Sequence, residues 1–167
     1  GTTSAVYTDQ RWWFAPHPFE RWQTFTVAID PDPDYYTAAN VLTGITRPET
    51  GSNLWRSDPA EPLPQWLELR WPESVSIARI ECFFDTELEQ PARENPPLYR
   101  AGGCVRDMDI EVETEDVEKC VVQLRDNDQR RCCMDIEPVT TRRMRLKVLR
   151  TNGSGDARMY EVRAYGP

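Results

Sequence analysis

Apolar residues recur at every second position in a series of short runs, and no long 3.6-residue period competes with them. Phe25, Val27 and Ile29 alternate with Thr26 and Ala28. The next runs are 66–71, then Val75, Ile77 and Ile80 through Phe84. Met108, Ile110 and Val112 alternate with Asp109, Glu111 and Glu113. Residues 121–124 and 132–139 follow, then Met144, Leu146 and Val148 around Arg145 and Lys147, and finally 159–165. Successive side chains of a strand point to opposite faces, so each run builds a sheet with one buried and one wet side. Eight such runs broken by Pro, Gly and polar residues predict an all-β antiparallel β-sandwich of jelly-roll type. The acidic series Asp109, Glu111, Glu113 and Glu115 is then a solvated face.

The spacing of the runs carries further information. The breaks at 72–74, 115–117 and 140–143 are as short as hairpin loops, whereas 30–64, 85–107, 125–131 and 150–158 are long. If consecutive strands run antiparallel, connections alternate between the two ends. One end should therefore be plain and the other elaborated with long loops, where binding residues concentrate. Tyr35 and Tyr36, Tyr99 and Arg100, and Arg130 and Arg131 all fall on those long loops. Tyrosines can stack on the C–H face of a sugar, and arginines can donate paired hydrogen bonds to hydroxyls or carboxylates. These six are the candidate ligand-binding residues. The opposing reading has the arginines pairing with loop carboxylates and holding turns.

Composition narrows the function classes. The net charge is −8 and no basic stripe exists, which argues against a nucleic-acid partner. No apolar run approaches the ~18 residues of a membrane span. Of 20 cationic residues only Lys119 and Lys147 are lysine, so 18 are arginine. A GC-rich genome explains such a bias, as does a demand for planar forks on carboxylates, sugars or aromatic faces. Cys82, Cys104, Cys120, Cys132 and Cys133 are odd in number and lack a C-x-x-C. His17 is the only histidine, which argues against a Cys/His zinc site. The cysteines read as small hydrophobes, with a disulfide such as Cys82 to another cysteine left open. No G-x-S-x-G, P-loop, G-x-G-x-x-G or H-E-x-x-H is present. Paired-carboxylate chemistry remains, yet most carboxylates alternate with apolar residues as solvent-facing strand positions do. The expectation is a non-catalytic domain without a cofactor. The chain opens Gly-Thr-Thr-Ser, which reads as a piece of a larger parent protein; Trp12, Trp13 and Phe14 then belong to an N-terminal linker or packing segment, 1–23, ahead of a sandwich at 24–167.

Several motifs together resemble a known family. The series Ala39-Asn40-Val41-Leu42-Thr43-Gly44, Leu54-Trp55-Arg56-Ser57-Asp58-Pro59 and Pro64-Gln65-Trp66-Leu67-Glu68-Leu69 resembles the opening of a discoidin, or coagulation factor 5/8 type C, domain. Residues 143–148 and 157–166, ending Glu161-Val162-Arg163-Ala164-Tyr165-Gly166, resemble its closing strands. A narrower likeness, through Asn53-Leu54-Trp55, the Phe84-Asp85-Thr86 step and Asn127-Asp128-Gln129-Arg130-Arg131, is to the C-terminal module of some bacterial FAD-dependent oxidoreductases.

The resemblance implies a galactose-binding-like sandwich with Trp55 and Trp66 in its core. It implies a carbohydrate-binding accessory module of a larger bacterial protein, or alternatively a structural module packing on a neighbouring catalytic domain. It also favours an extracytoplasmic, secreted or periplasmic, location. Members often hold a structural calcium, at positions matched here by Asn40, Thr43, Gly44 and Glu161. Thr43 stands where a carboxylate is expected, and calcium wants about six to eight oxygens. Glu161 is therefore expected to serve backbone donors or an arginine instead.

Overall fold

A computed structural model describes residues 35–49, 53–88, 100–115 and 117–167. The chain divides into two compact units, 1–35 and 36–167, and the sandwich is the second. The expected strand at 25–29 and the aromatic triplet Trp12, Trp13 and Phe14 lie outside the described residues.

Among the described residues a short 3-10 helix, Ala38–Leu42, precedes six strands: β1 Trp55–Arg56, β2 Gln65–Phe84, β3 Val105–Thr114, β4 Val117–Leu124, β5 Arg131–Thr151 and β6 Arg158–Tyr165. They form one antiparallel sheet in the order β1-β6-β2-β5-β3-β4. All-β antiparallel architecture is as the alternation implies, but two expected hairpins are not hairpins. The runs 66–71 and 75–84 are one 20-residue strand, and 132–139 and 144–150 lie in one 21-residue strand.

The register shows how the breaks are absorbed. Between Arg70↔Arg143 and Val75↔Thr141, β2 advances five residues (75 − 70) while β5 advances two (143 − 141). Between Ile77↔Val139 and Arg79↔Asp135, β2 advances two and β5 four. Extra residues on one strand of a pair make bulges, which bend and twist the ladder. Both central strands therefore double over. Their halves serve two layers: β1, β6, the end of β2 and the start of β5 in one; the start of β2, the end of β5, β3 and β4 in the other. One hydrophobic core lies between, with Ile77, Ile80, Cys82, Phe84, Met159 and Val162 from the first layer. Leu67, Met108, Ile110, Val112, Met144, Leu146 and Val148 face them from the second. Side chains of this size contribute about 1.5–3 kcal/mol each when fully buried.

Trp55 is in this core at 7% exposure, but Trp66 is 58% exposed, contrary to expectation. The strand period explains the difference: Leu67 is buried, so its neighbour must point outward. The acidic alternation on β3 does face outward. It lies against β5 arginines, with Glu111 opposite Arg145, and Arg143 pairing Glu113 at 2.9 Å. All five cysteines are free thiols, with Cys82 directly across from Cys132.

Candidate binding face

Because β2 and β5 double over, all four of their ends emerge on the same side of the sandwich. The long connections meet there. Phe84 N–H donates to the Arg130 carbonyl (2.8 Å), Asn127 N–H to Arg106 (3.0 Å) and Asn152 N–H to Cys104 (3.0 Å). Ser154 N–H donates to Gly102 (2.9 Å), Ser57 N–H to Ala157 (2.9 Å) and Arg56 N–H to Tyr36 (3.2 Å). The opposite end carries the connection between the paired β3 and β4 beside the bend in β5, tied by the Thr141 hydroxyl to the Glu113 carbonyl at 2.8 Å. The division into a plain and an elaborated end is thus present, although bent strands rather than successive hairpins produce it.

Buried polar side chains hold the loops. Asn127, 7% exposed, donates Nδ2–H to the carbonyls of Val105 (2.7 Å) and Gln129 (3.1 Å). Its Oδ1 accepts from Gln129 N–H at 3.0 Å. Asp107 accepts from Asp126 N–H (2.9 Å) and Arg150 Nε (2.5 Å). Asp156 accepts from Arg56 Nε (2.6 Å), Arg158 Nε (2.8 Å) and the Ser154 hydroxyl (2.5 Å). Arg158 also reaches Asp85 at 3.3 Å. Burial by itself would raise the Asp156 carboxyl, but the bonds from Arg158, Arg56 and Ser154 outweigh it and hold the group far below the usual carboxylate range. Asp107 is lowered in the same manner: burial opposes, while the Asp126 amide and Arg150 prevail. Charge-assisted bonds of this kind are the strong ones, and planar arginine supplies them in pairs.

The six candidate residues fall as follows. Tyr35, 53% exposed, ends the first unit, and Tyr99 lies outside the described residues. Tyr36 is half-buried against Leu54, Phe83 and Tyr160, with the Arg56 guanidinium 5.9 Å from its ring. Arg100 makes a two-pronged pair with Asp126, at 2.8 and 3.0 Å. Arg130 donates to the Thr46 carbonyl and lies 6.0 Å from the Tyr160 ring. Arg131 bonds Glu81 at 2.9 Å and lies 5.7 Å from the Phe83 ring. The arginine forks therefore sit on carboxylates, a carbonyl and aromatic faces. The structure gathers Tyr36, Arg100 and Arg130 among the converging loops, while Arg131 opens β5.

A shallow depression of about 510 Å³ is lined by Arg47, Pro48, Glu49 and Leu88. None of these four stood out by residue type. The available signal was Leu88, an apolar residue two positions past Thr86 in a loop, which is 53% exposed.

At the 38–44 turn, Gly44 has φ +81°, a left-handed conformation that suits glycine. Its N–H donates to Glu161 Oε2 at 2.9 Å, and Arg163 Nε donates to Glu161 Oε1 at 3.3 Å. Asn40 Nδ2 is spent on the Leu54 carbonyl at 2.9 Å. One carboxylate, already carrying a guanidinium and an amide, does not fit calcium's demand for many oxygens. Among the described residues, no group of three or more His, Cys, Asp or Glu is arranged to hold a metal ion.

No protein-family model matches the chain, and no curated protein matches it. Solved structures do share its fold. One is the family 32 carbohydrate-binding module of Streptococcus pneumoniae EndoD, at 17% identity and TM-score 0.62, covering 90% of this chain and 92% of that one. The family 32 module of C. perfringens NanJ, in complex with galactose, aligns at 14% identity and TM-score 0.56 over 76% and 82%. Chitosan-binding module 1 of a Paenibacillus chitosanase/glucanase aligns at 15% identity and TM-score 0.59 over 80% and 88%. At these identities the likeness establishes the antiparallel β-sandwich fold that the chain shares with these modules.

Proposed function

We propose that this chain is a non-catalytic carbohydrate-binding accessory module of a larger bacterial protein, which takes its ligand at the long-loop end. The observation that carries the reading is the convergence of the long connections onto one end, braced by Asn127, Asp107 and Asp156. Loops held this rigidly present side chains with little ordering cost on binding. The fold shared with modules that carry galactose or bind chitosan supports the same reading. Of the candidate residues, Tyr36, Arg100, Arg130 and Arg131 of the second unit supply stacking and hydrogen bonds. A guanidinium has five N–H donors, so an arginine already on one partner keeps others to offer. Arg47 and Leu88 add a polar and an apolar wall. A net charge of −8 favours neutral or amino sugars over polyanionic glycans.

The test is a glycan array probed with the folded chain, with calcium and with EDTA. Reproducible binding insensitive to EDTA is expected, because Glu161 serves the turn rather than a metal. Exchange of Arg47 or Leu88 for alanine should weaken the strongest hit by about threefold to tenfold, the loss of one contact of about 0.7–1.4 kcal/mol. A blank array from folded protein would sink the proposal in favour of a module that packs on a neighbouring domain.

A further inference from the structure

The loop end leaves one prominent side chain unexplained. Trp66 stands on the outer face of the second layer, 58% exposed, one residue into β2. Indole is large and apolar, and a strand interior with Leu67 beneath would be served as well by a polar residue at that position. The surroundings are unusual. Lys147 lies directly across on β5, and Arg145 is diagonal to it on the same face. The Arg145 guanidinium carbon is 5.6 Å from the centroid of the indole ring. That guanidinium is itself fastened, to Glu68 Oε2 by Nη2 (2.9 Å) and Nε (3.2 Å) and to Glu118 at 3.3 Å. Arg143 ties the same Glu118 at 2.6 Å and Glu113 at 2.9 Å. The cation therefore backs one face of the ring and is anchored there, while more than half of the side chain meets solvent.

The chemistry around the ring selects the occupant. A protein partner would require a contiguous apolar patch, since the centre of an interface is depleted of charge. Among the described residues, Trp66 shares its face with Glu68 and Arg70 on β2 and with Arg145 and Lys147 on β5, all of them charged. A hexopyranose has the matching pattern: one apolar C–H face and a rim of hydroxyls that need donors and acceptors. Lys147 has no ion pair among the described residues, so its three N–H donors are available.

We infer that Trp66, braced by Arg145, is a second monosaccharide subsite on the sheet face, receiving the C–H face of a neutral hexopyranose whose hydroxyls meet Lys147 and Glu68. The inference rests on the carbohydrate-binding reading of the loop end but concerns a different surface. The test is an ¹⁵N-labelled chain titrated with galactose, cellotriose and triacetylchitotriose, with the Trp66 indole N–H resonance identified by its loss in Trp66→Phe. That resonance should move with at least one of the three sugars. Trp66→Ala should weaken the same sugar about threefold to tenfold, and Trp66→Tyr should restore most of the loss. Movement of loop-end amides with a still indole resonance would overturn the subsite and leave the loop-end reading standing. No movement anywhere with any of the sugars would overturn both. The indole shift in the unaltered chain decides the matter even if Trp66→Ala fails to fold.

Discussion

Asp156 is the most informative residue to perturb. It is 5% exposed and takes hydrogen bonds from Arg56, Arg158 and Ser154, so it joins β1, β6 and the 152–157 loop. Exchange for alanine leaves two guanidinium groups facing each other without their shared counter-charge. Breaking one side of a buried pair costs about 3–5 kcal/mol. The arginines retain 32% and 27% of their side-chain exposure, and water reaching them pulls the expected loss to about 2–3 kcal/mol. Chemical denaturation at pH 7 should show a lower midpoint with an unchanged slope. Melting should fall by roughly 5–10 °C, at about 2–4 °C per kcal/mol for a domain near this size. The pH dependence tests the cause. The folded-state Asp156 carboxyl lies below its unfolded value, so its contribution is fully present above the unfolded value of about 3.9 and is lost as pH falls through the folded one. The gap between wild type and Asp156→Asn should be constant from neutral pH to about pH 5 and shrink steadily below it. A gap below about 1 kcal/mol at pH 7, or one that persists unchanged into strong acid, would refute the electrostatic account.

Three further outcomes follow from the same geometry. A Cβ on Gly103 would lie 2.8 Å from Asp85 Oδ2, a carboxylate pinned by Arg158, so Gly103→Ala should cost about 1–3 kcal/mol in thermal unfolding; Gly155→Ala, with nothing within 4 Å, should stay within about 0.5 kcal/mol. Trp55→Ala should cost about 3–5 kcal/mol, whereas Trp66→Ala loses a surface cation–π contact worth about 0.5–1 kcal/mol; equal losses would contradict the assignment of the two faces. Iodoacetamide should label the exposed Cys120 and Cys133 and spare Cys82 and Cys104 in the folded chain, as read by peptide mass spectrometry. Burial pushes the Cys104 thiol up to about 12 and Cys132 up to about 11, which starves both of thiolate.

The strands were legible because alternation is a local signal. Leu67, Leu69, Ile110, Val112, Leu146 and Val148 announce the buried face by position alone. The same alternation already placed Trp66 beside Leu67 on the opposite face, and it was the motif likeness that argued for the core. What the residues 72–74 and 140–143 do was not legible. A polar or Pro-bearing break in period two looks the same whether the chain reverses or bulges and continues. The outcome depends on which strand it faces, and the β2–β5 register supplies that. The fate of the arginines was hidden for a similar reason. Arg100 meets Asp126 and Arg130 meets Thr46, partners 26 and 84 residues away, and no local pattern encodes such pairings.

By itself, then, the amino-acid order determined the class of structure: period-two runs separated by turn residues can bury an apolar face only by stacking antiparallel layers. It also determined which stretches between the runs are long: 30–64, 85–107, 125–131 and 150–158. Tertiary structure alone decided that β2 and β5 fold over to serve both layers, which loops meet, and which charges are struts. Those outcomes depend on contacts between residues far apart in sequence, whose energies arise only once the sheet has closed on its core.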